Sequence, residues 1–144
     1  MILQIRVDSK CLRKKTKSLL VKPLSNEKLK LISDMKDTLS NTNGVGLAAP
    51  QVGSHSRIFI ISYGDFEQTF INPIIRATYG NVVGVESCLS VPNRAVKVNR
   101  SERIEIEFYD ETGSPNTGIF EGFIARIVQH EYDHLEGKLI IDYL

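Results

Sequence analysis

The sequence lacks a prevailing charge: 18 Lys and Arg stand against 17 Asp and Glu, a formal net charge of +1. That balance gives no reason to expect nucleic acid or an anionic membrane as the main partner. The densest basic run, Arg13-Lys14-Lys15 with Lys10 and Lys17, reads as solvated surface. The chain also lacks an apolar signal-peptide core in its opening Met-Ile-Leu-Gln-Ile-Arg-Val-Asp, and no apolar stretch approaches membrane-spanning length. A cytoplasmic protein is expected, in a compartment that keeps thiols reduced. Cysteine is scarce, with only Cys11 and Cys88, and in a reducing compartment free or metal-bound thiols are expected rather than a disulfide. Repeats, low-complexity tracts and linkers are missing too. With 144 residues, 42% hydrophobic and 24% charged, the chain reads as one globular domain over 1–144.

Proline and glycine are absent from the interior of one segment, Phe123–Glu136, which Gly122 and Gly137 bracket. Its apolar residues Phe123, Ile124, Ile127, Val128 and Leu135 recur at helical spacing, which predicts a buried helix. The segment contains His130-Glu131-Tyr132-Asp133-His134, an H-E-x-x-H pattern. On a helix the two histidines share one face, one turn apart, and Ile127 lies on the same stripe, so both imidazoles should point inward. Two imidazoles so placed suit one divalent metal, and Glu131 between them reaches toward a water on it. Ordinary surface histidines are the alternative, which the inward stripe and the enclosed glutamate disfavour. A catalytic site of this type needs a third protein ligand.

Upstream, residues 1–24 read as an extended arm with a short turn near Cys11-Leu12-Arg13, Cys11 being a buried or half-buried thiol without function. Ser25 is the expected N-cap of a helix with Glu27 in its first turn, an apolar stripe of Leu29, Leu31, Ile32, Met35 and Leu39, and an end near Ser40-Asn41. Gly44–Gly53 is expected to be a tight loop; it follows a helix and precedes a strand, the wrong order for a dinucleotide fingerprint. Within it, Gln51 carries a neutral amide able to donate to a developing oxyanion, or simply to hold the loop. Arg57–Ser62 and Gln68–Ile75 read as paired strands joined by a turn at Tyr63-Gly64-Asp65, with an interruption at Pro73 and His55 exposed in the preceding loop. Residues 77–87 read as glycine-rich and irregular. Cys88 is either the missing thiolate ligand or a buried structural cysteine, and spacing alone leaves both open. Ala95–Val98, Arg103–Tyr109 and 117–121 read as strands, with a turn at Asp110–Gly113. The fold class is α+β: short antiparallel strands around a buried metal-binding helix, with one further N-terminal helix.

Three stretches, taken together and in order, resemble the peptide deformylase family over nearly the whole chain. Gly44-Val-Gly-Leu-Ala-Ala-Pro-Gln51 is similar to its G-x-G-L-A-A-x-Q motif, Glu86-Ser-Cys-Leu-Ser90 to E-G-C-x-S, and Gln129–His134 to Q-H-E-x-D-H. Two departures stand out. Ser87 occupies the usual glycine position, which bears on room for the substrate; the chain also stops at Leu144, without the C-terminal helix implicated in ribosome docking, so such docking is not expected. The resemblance describes a minimal form of the fold, from a compact bacterial lineage, an organelle or a virus, with an organellar or host-cell location in the latter cases.

The resemblance implies removal of the N-formyl group from the starting methionine of nascent polypeptides by a monomer. Cys88, His130 and His134 become ligands of one divalent metal, iron(II) by resemblance, with zinc, nickel or cobalt suiting the same donors. Glu131 is the general base and acid, while Gln51 and the backbone N–H of Leu89 stabilise the oxyanion. The peptide is expected to add as a strand along the Gly44–Gly46 backbone and the Ser87 carbonyl, with Val45, Phe123 and Ile127 forming the methionine pocket. Arg100 is expected to pair with Glu86 or Asp133 in support of the site. Two rival readings are an H-E-x-x-H zinc endopeptidase and a non-catalytic, metal-stabilised module that binds peptide N-termini. A metzincin needs its third histidine where this chain has Ile140, and a pure binder needs neither Glu131 nor Gln51.

Overall fold

A computed structural model describes residues 1–144, the side chain of Ser9 excepted. A continuous apolar run, Ile58-Phe59-Ile60-Ile61, forms most of β2 (Ile58–Tyr63), and the whole run is buried because this strand is covered on both faces. Phe59 and Ile61 point toward the C-terminal helix α3 (Gly122–Leu135), while Ile58 and Ile60 point toward α2 (Asn26–Ser40). β2 belongs to a five-stranded antiparallel sheet of order β1-β2-β3-β6-β7, completed by β1 (Gly46–Ala48), β3 (Phe66–Tyr79), β6 (Arg103–Tyr109) and β7 (Pro115–Glu121). β6 alternates as a one-sided strand should: Ile104, Ile106 and Phe108 are buried under α3, while the intervening glutamates are not. The aromatic heart is Phe70, stacked on Phe59 at 4.6 Å between ring centres and 4.3 Å from the Phe108 ring.

Helix α2 starts as expected, with Ser25 accepting a hydrogen bond from the Lys28 N–H at 3.2 Å. Its buried stripe is Ile32, Met35 and Leu39. Leu29 is 41% exposed, so the stripe starts a turn later than its apolar residues suggest. The arm contains a four-residue helix, α1 (Ser9–Leu12), that buries Leu12. Asn72 ties the arm down: its amide oxygen accepts from the Leu19 N–H at 3.0 Å and its amide nitrogen donates to the Leu19 carbonyl at 2.8 Å. Asn72 has φ of 50° and sits where the β3–β6 register shifts, so the interruption anticipated at Pro73 is a β-bulge.

Three other expectations are corrected. Gly44–Gly53 is not all loop: Gly46, Leu47 and Ala48 pair with Ile61, Ile60 and Phe59, and Ala49–Val52 forms a 3₁₀ turn. Small residues can lie flat against a neighbouring strand, so the composition that suggested a loop serves an edge strand. Residues 77–87 are not irregular either: they hold the end of β3 and most of β4 (Val82–Cys88), which pairs with β5 (Val91–Arg100). Gly80 makes the turn with φ of 73°. His55 is half-buried, with Nε2 3.3 Å from the Cys11 carbonyl. β4 and β5 form a separate two-stranded ribbon with no strand in common with the main sheet.

Candidate active site

The site lies where the ribbon meets α3. His130 and His134 sit one helical turn apart, with ring centres 5.2 Å from each other. Cys88, at the end of β4 just past a register shift, brings Sγ to 3.4 Å from His134 Nε2. One donor atom from each of Cys88, His130 and His134 lies within 4.8 Å of the others. A tetrahedral ion bound to a thiolate and an imidazole has an S–N edge on the order of 3.6 Å from ordinary bond lengths, so the Cys88–His134 separation fits. His130 Nδ1 is held by Glu86 Oε1 at 2.9 Å, which leaves Nε2 for the centre, the usual arrangement of a metal-ligating histidine with a carboxylate behind it. The thiolate and two imidazoles therefore suit a divalent transition metal.

The electrostatics agree. Burial alone would raise the Glu86 carboxyl, but Arg100 and His130 outweigh it and hold it at about 2. Burial would lower His130, yet hydrogen bonds to Cys88 and Glu86 raise it to about 10. His134, fully enclosed and beside the charges of His130 and Arg100, is pushed well below its ordinary value and stays neutral, as a ligand must be. Glu131 is 4% exposed, and burial, only partly offset by His130, raises it to about 7. Its Oε1 has no hydrogen-bond partner among the described residues. The carboxyl packs on Gly46, where a Cβ would come within 2.7 Å of Oε2, so only glycine leaves room.

Gln51 is 2% exposed and fixed at both ends. Its Oε1 accepts from the Ala48 N–H at 2.9 Å, which orients Nε2 toward Ser90 Oγ at 3.1 Å and Cys88 Sγ at 3.8 Å. A cavity of about 350 Å³ opens in front. Gly44, Val45, Gly46, Gln51, Ser87, Cys88, Leu89, Phe123, Ile127, His130 and Glu131 all line it, and His134 lies behind. Ile127 is buried in its floor, whereas Phe123 is half exposed at the rim with its ring edge-on to Tyr63 at 4.8 Å.

Behind the site, Arg100 meets both of its expected partners, Glu86 at 2.8 Å and Asp133 at 2.6 Å. Sequence reasoning missed the rest of this network. Tyr143 donates to Asp133 at 2.6 Å and stacks under the Arg100 guanidinium at 4.9 Å, and Arg126 donates to Glu86 at 2.6 Å. Arg126 stands one turn before His130 on the same helix, a spacing that could have revealed it. Ile140, the position where a metzincin would carry its third histidine, is buried with Val96 and Val98 against Cys88. Gln129, part of the third motif, binds the Ser101 backbone at 3.0 and 2.9 Å rather than the site.

Comparison with known proteins bears on this arrangement. The family model described as polypeptide deformylase matches residues 2–144. A peptide deformylase of Karelsulcia muelleri is 47% identical over 118 residues, 78% of this chain and 62% of that protein. Peptide deformylase 1 of Clostridium perfringens is 44% identical over 139 residues, covering 94% of this chain and 92% of that one. Among solved structures, a peptide deformylase from Thermotoga maritima superposes with a TM-score of 0.94 at 38% identity, covering 100% of this chain and 98% of that one. The Met-Ala-Ser-bound class I type b enzyme from Acinetobacter baumannii also gives a TM-score of 0.94, at 30% identity over 100% of this chain and 99% of that one. The α+β fold, the Cys-His-His cluster and the match along almost the whole sequence lead to one conclusion: the chain belongs to the polypeptide deformylase family.

Proposed function

We propose that this site performs the family's reaction, hydrolysis of the N-formyl group from the N-terminal formylmethionine of nascent polypeptides, with release of formate and a free amine. The observation that carries the assignment of roles is the buried, partnerless carboxyl oxygen of Glu131 beside the three-donor cluster. Cys88, His130 and His134 would hold a divalent metal, which would supply Lewis acidity at the site. Glu131 accepts a proton from the attacking water and delivers it to the peptide nitrogen as the C–N bond breaks. Gln51, its amide oriented by Ala48, donates through Nε2 to the formyl oxygen as negative charge grows there, and the Leu89 N–H is the second donor. The peptide adds as a strand between the free edge of β1 and the β4 edge, using the Gly44–Gly46 backbone and the Ser87 carbonyl. Val45, Phe123 and Ile127 receive the methionine side chain. Iron(II) is the proposed occupant on family resemblance, with nickel, cobalt and zinc fitting the same donors.

Residues 1–144 act as one catalytic unit in this reading, and a single chain supplies every role. The binder and endopeptidase readings gain no support from the geometry. Formate release from formyl-Met-Ala-Ser, by protein loaded with iron or nickel under reducing, anaerobic conditions, tests the proposal; no formate would overturn it. Glu131→Ala is expected to keep its metal and lose ~100- to 10,000-fold in kcat, the usual range for a general acid–base group. Retained turnover would remove Glu131 from its role.

A further inference from the structure

We infer that Arg126 is a positioning residue whose guanidinium clamps the β4–β5 ribbon, and with it Cys88, onto the helix that carries His130 and His134. The candidate metal centre straddles two separately built pieces, because the ribbon shares no strand with the sheet on which α3 packs. Apolar packing near Cys88 does not join them. Its buried cluster is Cys88, Val96, Val98 and Ile140, none of them from α3.

The link is polar. From α3, Arg126 Nη1 donates to Glu86 Oε2 at 2.6 Å and to the Val98 carbonyl at 3.0 Å, while Nη2 donates to the Val82 carbonyl at 2.6 Å. One rigid fork thus grips the main chain of both ribbon strands and the carboxylate between them. The other oxygen of that carboxylate, Oε1, holds His130 Nδ1 at 2.9 Å. Arg126 therefore acts on His130 through Glu86 and on Cys88 through the β4 and β5 backbone. Gly84 completes the fit, since a Cβ there would lie 3.0 Å from the Arg126 Cζ and 3.1 Å from Nε. Arg100 and Asp133 add a second tie at 2.6 Å, but Arg100 starts from β5 and holds Glu86 from within the ribbon.

Only the activity arm of the test rests on the deformylase reading. Cobalt(II)-loaded protein reports the clamp through two signals: the thiolate-to-cobalt absorption band and the rate of cobalt release into excess chelator. Arg126→Ala is expected to release cobalt about tenfold faster, the low end of the effect of losing a group that orients a ligand. Its thiolate band should weaken and kcat should fall more than KM rises. Arg126→Lys keeps the charge but cannot span the three acceptors, so it should fall between wild type and Arg126→Ala. Gly84→Ala, which displaces the guanidinium without deleting it, should shift both signals in the same direction. Val83→Ala, exposed on the same strand, should shift neither. If Arg126→Ala does not fold, Arg126→Lys and Gly84→Ala decide by the same readouts. Wild-type release rates and bands in the folded variants, even with lowered thermal stability, would overturn the clamp. Absence of formate release by the wild type would sink the deformylase reading and leave the cobalt signals to judge Arg126.

Discussion

The five-stranded sheet and the β4–β5 ribbon border the same cavity, yet they are held by different forces. The sheet is held by apolar packing, with α3 over Phe59, Phe70, Ile104 and Ile106 and α2 over Ile58, Ile60 and Ile71. The ribbon exposes Val83 and Val85, carries a small apolar cluster, and is bound to α3 by Glu86, Arg100 and Arg126. Apolar packing is strong and undirected, so it suits a platform. Charge-assisted hydrogen bonds are directional, so they suit the piece that must hold a thiol at a set distance from two imidazoles.

Mutations that separate the two kinds of support are the sharpest check on this contrast. The largest effect on stability is expected from Phe70→Ala, which removes a fully buried ring from the sheet core and should cost roughly 3–5 kcal/mol. Denaturant unfolding measures it, and the fraction that stays folded should bind metal normally. Glu86→Ala should do the reverse. It removes the carboxylate behind His130 and one partner each from Arg100 and Arg126, so metal affinity should drop ~10- to 100-fold in a chelator competition while the sheet keeps its protection from hydrogen exchange. Equal loss of protection in sheet and ribbon would erase the distinction.

Acid provides a milder version of the same cut. The Glu86 carboxyl is held at about 2 in the fold against an ordinary 4.5, so the stability it contributes is present above 4.5 and is lost as pH falls toward 2. In metal-free protein, amide exchange in β4 and β5 should accelerate over that range before exchange in β2 and β3; simultaneous release would count against a polar latch. Leu29→Ala should matter least, within about 0.5 kcal/mol by thermal unfolding, because the side chain faces solvent on α2.

Much of the site was legible in the chain. The H-E-x-x-H pattern on a proline-free apolar stripe implied two inward histidines, and in the structure His130 lines the cavity while His134 is buried behind it, both grouped with Cys88. Gln51 was singled out for its amide alone, and it stands with Nε2 aimed at Cys88 and Ser90. β4 was illegible because its glycine does a different job from the one glycine usually signals: Gly84 makes room for Arg126 inside a strand. β1 was hidden for a similar reason, since Gly46 must be small to admit Glu131. Leu29 misled in the opposite sense, being an apolar residue at helical spacing that stays well exposed while Ile32, Met35 and Leu39 are buried.

By itself the sequence determined the local terms: the helix of α3, the cap at Ser25, the buried run of β2, and the residue types able to bind a metal and move a proton. Those properties follow from spacing and side-chain chemistry within a few residues. Tertiary structure alone decided that Cys88 joins His130 and His134, because a thiol becomes a ligand only when a distant strand end is brought to a helix. It also decided that Glu86 reaches Arg126 and that Gly46 faces Glu131. Each of these depends on distance across the fold, which spacing along the chain does not encode.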